Sequence, residues 1–159
     1  MKNILIEIMR ELFKKRRSVR GYKDVLVEEE KLKEILAAAE SAPSAGGLKA
    51  REILMVKDKE TREALAGAAL GQDFVAEASV VLIFCAMPEH SARKYGQRGR
   101  ELYAVQDATI AASFAWLEAI NLGLSSCWVG AFDEEAVKQV LKLNESLRPI
   151  AILPIGYAK

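Results

Sequence analysis

The sequence is poor in the residues that mark several common chemistries. It holds two cysteines, four prolines and one histidine in 159 positions. Cys85 and Cys127 lie far apart in apolar surroundings, which reads as two reduced, buried thiols rather than a disulfide framework. With His90 as the single histidine, there is no His-Glu-x-x-His, and Gly-x-Ser-x-Gly and Cys-x-x-Cys are absent too. Hydrolytic triads and metal sites lose their support, and no metal is expected. Gly-x-x-x-x-Gly-Lys-Ser/Thr is missing, as is Gly-x-Gly-x-x-Gly after the first strand, so the common nucleotide cradles are excluded. Nor is there an excess of charge: 23 Lys plus Arg stand against 22 Asp plus Glu. No global field gathers nucleic acid or an anionic membrane, and any anion site must be local. The longest apolar run, Ser79 to Met87, is about half the roughly 20 residues that span a bilayer as a helix. Met1 to Arg10 carries an acid, Glu7, and reads as an amphipathic helix, without the strongly basic start and longer apolar run of an export signal. The expectation is a cytoplasmic protein.

What is present is a core. Hydrophobic residues make up 51%, enough for one domain over residues 1–159. Leu5, Ile8, Met9 and Leu12 follow helical spacing, and Lys14 to Arg17 closes that helix. A second helix opens on Glu28, Glu29 and Glu30, buries Leu32, Ile35, Leu36 and Ala39, and ends before Pro43. Ile53 to Val56 reads as a strand, Asp58 as the cap of a helix through Leu65 and Ala68, and Val80 to Cys85 as a central strand apolar on both faces. Pro88 to Gly99 is polar, with Gly96, Gly99, Arg93, Lys94 and Arg98, and reads as a mobile loop. Glu101 to Asn121 is a helix apolar almost all round, stopped by Gly123. Ser126 to Val129 forms a strand, Asp133 caps a helix carrying Val137, Val140 and Leu141, and Ile150 to Ile155 ends the sheet. The alternation suggests parallel strands at first sight, but unequal helix groups leave the direction open.

Three stretches carry chemistry. Arg16-Arg17-Ser18-Val19-Arg20 puts three guanidinium forks and a hydroxyl within five residues, which suits a monophosphate; on composition alone a solvated basic helix end complementing the dipole is the commoner reading. Ala42-Pro43-Ser44-Ala45-Gly46-Gly47 has side chains small enough for the backbone to approach a flat ligand, or is a plain turn. Cys127-Trp128-Val129-Gly130-Ala131-Phe132-Asp133 runs from a strand through Gly130 into a capped helix and leaves free amides at the junction; Trp128 and Phe132 read as ring partners or as core aromatics.

In this order, with Gln106-Asp107-Ala108 opening the long helix, Leu122-Gly123-Leu124 closing it and Leu153-Pro154-Ile155-Gly156-Tyr157 at the end, these stretches resemble the nitroreductase family of FMN enzymes over nearly the whole chain. The resemblance implies an α+β fold with a mainly antiparallel central sheet flanked by helices. It also implies an intertwined homodimer with FMN at its interface. By position, Arg16, Arg17, Ser18 and Arg20 would contact the phosphate, ribityl chain and pyrimidine edge, and Pro43, Ser44, Ala45, Gly46 and Gly47 would line the ring. Val129, Gly130 and Ala131 would reach the N5 edge, with Gln106 near the partner's contribution. Hydride from NADH or NADPH would pass to a small electron-poor acceptor such as a nitroarene or quinone by ping-pong exchange. The cofactor carries that chemistry, and no side chain is required as a catalyst.

Three departures accompany the resemblance. Gly47 stands where many members have Asn, and Lys49-Ala50-Arg51 where they have Gln-Pro-Trp, so Lys49 is a candidate replacement contact to the flavin. Lys159 is the only basic residue after Tyr157, where many members continue with a basic tail. The stretch Glu89 to Arg100 is short, which implies a more open site. The alternatives are a specialised flavin-dependent dehydrogenase or oxidase of the same family, which Pro43-Ser44-Ala45-Gly46-Gly47-Leu48 also resembles, and a non-catalytic flavin-binding protein.

Overall fold

The structure, a computed structural model, describes residues 2–159, and the side chains of residues 6, 7 and 10–159. Helix α1 spans Lys2–Lys15 with Lys14 and Lys15 in its last turn, where cations complement the dipole. Of its expected apolar stripe, Leu12 is half-buried; the side chains of Leu5, Ile8 and Met9 lie outside the described residues. The chain then runs extended along the sheet margin. Val19 N–H donates to the Ser126 carbonyl at 3.1 Å and Lys23 N–H to Tyr157 at 2.8 Å. Tyr22 anchors this segment: it is 2% exposed, and its hydroxyl donates to the Val19 carbonyl at 2.8 Å.

Helix α2, Glu29–Ser41, buries Leu32, Ile35 and Ala39. Strand β1, Arg51–Val56, is followed by α3, Lys59–Ala68, whose cap Asp58 accepts the Thr61 N–H at 2.8 Å. After the short helix α4, Phe74–Glu77, comes β2, Val80–Ala86, buried along its full length. Helix α6 spans Ala104–Asn121, strand β3 Ser125–Ser126, helix α7 Glu134–Leu141 and strand β4 Arg148–Gly156. The strand order is β1-β2-β4-β3 and every pairing is antiparallel, with Ile53 opposite Phe84 and Leu82 opposite Leu153. The helices do not connect parallel neighbours, so the direction that periodicity left open is the one the resemblance implies.

Why β2 is apolar on both faces is visible in the layers. One face, with Val80, Leu82, Phe84, Leu153 and Ile155, is covered by α2 and an alanine stripe of α6, Ala104, Ala108, Ala111, Ala115 and Ala119. Side chains this short let α6 lie close on the sheet. The other face, with Val81, Ile83, Cys85 and Ile152, packs on Leu65 of α3, Val75 of α4 and Val137 of α7. Removing one of these large side chains from either layer costs about 2–5 kcal/mol. Both cysteines are free and buried, and burial pushes the Cys85 thiol up to about 12.

Three expectations are corrected. Pro88 to Gly99 is not a loop: α5 spans Pro88–Arg98, kinked at Gly96 (φ 56°), with Pro88 in its first turn and Glu89 beside it, where the dipole favours an acid. Ser91 is buried, and its backbone carbonyl lies so close to Gly99 that a side chain there would collide with it. The following helix begins at Ala104, not Glu101, because Gly99–Tyr103 forms a π-helical turn. The strand expected over Ser126–Val129 is only Ser125–Ser126, and pairing resumes as a single bridge between Val129 and Ile152.

Candidate active site

Arg16 stands at the C-terminal end of α1, its N–H donating to the Leu12 carbonyl at 3.2 Å, while Arg17, Ser18 and Arg20 follow in the extended segment. The bridge between Ser18 and Ser126 fixes this segment on β3, where Val19 is half-buried and Arg17, Ser18 and Arg20 are exposed. Arg16 lies over the Trp116 ring at 4.8 Å and Arg20 over Phe74 at 6.0 Å. Among the described residues none of the three guanidinium groups has a carboxylate partner. Two polar atoms of the same neighbourhood, Ser126 Oγ and Trp116 Nε1, are buried without a partner among the described residues. Unpaired cations held by packing, with donor groups to spare, suit an anion. Lys159 is engaged elsewhere: it pairs with Glu77 at 2.8 Å, and its backbone N–H donates to the Gly21 carbonyl.

The stretch Pro43 to Lys49 is a held loop. Ala45–Gly47 makes one 3₁₀ turn, with Gly46 at φ 58° and Gly47 at φ 71°, the left-handed region that glycine and asparagine tolerate best. This accounts for Gly47 in place of Asn, since both residues suit that backbone. Four groups pin the loop. Asp107, 1% exposed, accepts the N–H of Ala45 at 2.9 Å and of Ala50 at 3.1 Å. Ser44 Oγ accepts the Lys49 N–H at 2.8 Å, and His90 Nε2 lies 3.1 Å from the Leu48 carbonyl. Arg51, 6% exposed, donates to the carbonyls of Ala39, Glu40 and Ala42 at the end of α2. Pro43, Gly46 and Gly47 are left exposed. Tyr95 and Lys94 of α5 rest on Gly46. A Cβ there would collide with the Tyr95 hydroxyl and lie 2.7 Å from Lys94 Nζ. Lys49 is exposed and 3.5 Å from Glu40.

Val129 is buried, while Gly130 and Ala131 are exposed at the turn into α7. Gln72 holds that turn, its amide donating to the carbonyls of Ala69 at 2.7 Å and Ala131 at 2.9 Å. Asp133 N–H donates to the Ala68 carbonyl at 2.8 Å, and the Asp133 carboxylate caps α7 through Ala136 N–H. Gln72, Phe74 and Arg51 were not singled out in the sequence. Nothing local marks them, since each acts on a segment distant in the chain; Asp107 was visible only as part of the Gln106-Asp107-Ala108 landmark.

Helix α6 sets where these parts lie. Asp107, under the small-residue loop, and Trp116, under Arg16, differ by about two and a half turns, which puts them on opposite flanks about 14 Å apart along the axis. Val105 lines one shallow depression with Gly130 and Ile150, and it precedes Trp116 by about three whole turns. The arginine clamp and the Gly130 turn thus share a flank, while the loop Pro43 to Gly47 lies on the other. Gln106 is exposed on the outer surface between them.

The nitroreductase family model matches residues 13–157. The chain belongs to the nitroreductase family. It is 34% identical to an NADH dehydrogenase of Thermus thermophilus, over 90% of this chain and 83% of that protein. It is 31% identical to an FMN reductase [NAD(P)H] of Bacillus subtilis, over 89% of this chain but only 62% of that one. Among solved structures, an FMN-dependent nitroreductase from Clostridium difficile superposes with a TM-score of 0.82 at 34% identity, covering 93% of this chain and 86% of that chain. Among the described residues no helix is long and apolar enough to cross a membrane, and no cluster of His, Cys, Asp and Glu has the makings of a metal site.

Proposed function

We propose that this chain is an FMN-dependent oxidoreductase that takes hydride from NADH or NADPH and passes it to nitroaromatic, quinone or similar electron-poor acceptors. In this reading residues 1–159 form one cytoplasmic FMN-binding unit that works as a homodimer. The observation that carries it is the set of unpaired guanidinium groups fixed on β3, on the flank of α6 that also bears the Gly130 turn. The chain's own chemistry fits the group. Arg16, Arg17, Arg20 and Ser18 would hold the phosphate and ribityl end, Val129, Gly130 and Ala131 would offer backbone to the ring edge, and Pro43, Ser44, Ala45, Gly46, Gly47 and Lys49 would line the ring.

Because clamp and loop lie on opposite flanks of α6, one copy does not close around a flat ligand by itself. A second copy supplying the loop does, with Gln106 on the surface between them. Bound FMN supplies reversible hydride exchange between nicotinamide and acceptor. The protein fixes position and charge: the arginines neutralise the anion, Gln72 holds the Ala131 carbonyl, and Asp107 keeps the loop shape. No proton transfer is assigned to His90, whose ring is committed to the Leu48 carbonyl.

The test is the visible spectrum of freshly purified protein, identification of the released chromophore, and anaerobic addition of NADH or NADPH. Yellow protein that releases FMN and bleaches with a nicotinamide is the expected result. Colourless protein that takes up no FMN overturns the reading, and bound flavin that never bleaches leaves a binding protein instead of an enzyme.

A further inference from the structure

Where α5 meets the Gly46 loop, its cations and rings form an arrangement that the arginines after α1 do not explain. Lys94 Nζ lies 5.3 Å from the Tyr95 ring, Tyr95 meets Tyr103 edge-on at 5.1 Å and 83°, and Arg98 lies 5.4 Å over Tyr103. Arg98 Nε also donates to the Tyr103 hydroxyl at 3.0 Å. The result is a ladder of cation, ring, ring and cation, with its Lys94 end seated on Gly46 in the loop that lines the proposed ring site.

Counter-charge is missing from it. Glu89, the one acid of α5, accepts two hydrogen bonds from Arg100 at 2.7 and 2.9 Å. Glu101, the acid of the following turn, accepts from Gln97 at 2.8 Å. Among the described residues neither Lys94 nor Arg98 has a carboxylate within ion-pair distance. A flexible lysine normally splays into water. Here its ammonium folds back over backbone that has no side chain to obstruct it, and Arg98 is fixed by ring and hydroxyl together. Two oriented, unpaired cations beside an exposed stretch of backbone make a local positive field in a chain whose formal net charge is only +1.

We propose that Lys94 and Arg98 form a subsite for an anionic group on the molecule that exchanges electrons at the Gly46 loop. The shared chemistry is a phosphate or carboxylate carried by an otherwise flat, stackable molecule. Its source is either the 2′-phosphate that distinguishes NADPH from NADH or an acid group on the acceptor. The inference rests on the proposed function, because the ladder faces a substrate only if the loop lines a redox centre.

The experiment uses the full-length protein carrying its flavin and the double variant Lys94→Gln, Arg98→Gln. Selectivity is read as a ratio of kcat/KM values: NADPH over NADH, and 4-nitrobenzoate over nitrobenzene. The ratio belonging to the true source is expected to fall about fivefold or more in the variant, the equivalent of roughly 1 kcal/mol for a charge-assisted contact. A second readout needs no turnover. Calorimetric titration of oxidised protein with 4-nitrobenzoate and with 2′-phospho-AMP should show salt-sensitive binding of one of them that the variant loses. Flavin-loaded protein whose two ratios and both affinities are the same in parent and variant overturns the subsite and leaves the proposed function standing. Protein that binds no flavin overturns both.

Discussion

The buried carboxylate of Asp107 accepts the backbone N–H of Ala45 at 2.9 Å, and its second oxygen takes that of Ala50 at 3.1 Å. One side chain on α6 thereby closes both ends of a loop whose middle, Gly46 and Gly47, is exposed. The loop's shape is set from a helix more than fifty residues further along the chain, so it does not depend on its own sequence alone.

Truncation at this position should be costly. Asp107→Ala leaves two amide donors facing a hole, and a charged hydrogen bond contributes about 1.5–3 kcal/mol. The expected loss is roughly 2–4 kcal/mol, measured by urea unfolding. Asp107→Asn keeps one acceptor but turns an NH₂ towards the second donor, so it should fall between. An alanine variant within about 0.5 kcal/mol of the parent would mean that water replaces the clasp without penalty.

Those same hydrogen bonds show where sequence reading stops. Local rules found what is local: Asp58 and Asp133 as caps, β2 as the buried central strand, the alanine-rich helix stopped by Gly123. They failed over Pro88 to Gly99, where glycines and charges read as loop. The helix there depends on the Ser91 carbonyl packing against Gly99 and on His90, Lys94 and Tyr95 docking on a loop forty or more residues earlier. The arginine run stands out in the sequence because Arg16, Arg17, Ser18 and Arg20 fall within five consecutive residues. Gln72 and Arg51 do not, since each satisfies carbonyls that only the folded chain brings near.

The clamp can be separated from mere positive charge. Lys14 and Lys15 carry the same positive charge as Arg16 and Arg20 and lie a few residues away, but Lys14 already pairs with Glu11 at 2.8 Å. Arg16 and Arg20 are held over rings with their charge unpaired. Arg16→Ala or Arg20→Ala should weaken FMN affinity about tenfold or more, the scale of one or two charge-assisted contacts. Lys14→Ala and Lys15→Ala should change it little. Fluorescence titration with FMN measures all four, and equal losses across the set would place the phosphate elsewhere.

Acid should loosen the margin of the sheet at an identifiable point. The Lys159 ammonium beside Glu77, and after it the Tyr22 N–H, hold the Glu77 carboxyl below its ordinary 4.5. A carboxylate with a depressed folded value contributes stability that is fully present above the unfolded value and is lost as pH falls through the folded one. Unfolding free energy should therefore keep this contribution from neutrality down towards pH 5 and lose it below 4.5. Glu77 is 39% exposed, so solvent screening keeps the effect small. Glu77→Gln should be slightly less stable at pH 7 and show a shallower acid limb in chemical unfolding measured at several pH values. An identical limb in parent and variant would remove Glu77 from the account.

Assembly and flavin binding should be linked, and α6 supplies the reason. Its alanine stripe packs on the sheet, yet Gln106, Ser113 and Leu117, at helical spacing, form a second stripe that is exposed or half-exposed. Phe114 is 39% exposed beside them, and Phe13 of α1 is 56% exposed. A domain of this size has little further interior to offer those groups. A two-fold pairing across this surface would cover them and bring the loop of one copy opposite the clamp of the other, on the flank where a single copy lacks it. A ligand that binds only the paired state must pull the equilibrium towards it by mass action. Light scattering and flavin fluorescence across a dilution series should show mass and bound flavin falling together, with added FMN shifting both to lower protein concentration. Leu117→Arg, placed in the outer stripe and away from the arginine clamp, should lower both at a given concentration while leaving the circular dichroism of the monomer unchanged. Protein that stays monomeric yet keeps FMN bound at every dilution would show that one copy suffices, and the opposite flanks of α6 would then need another explanation.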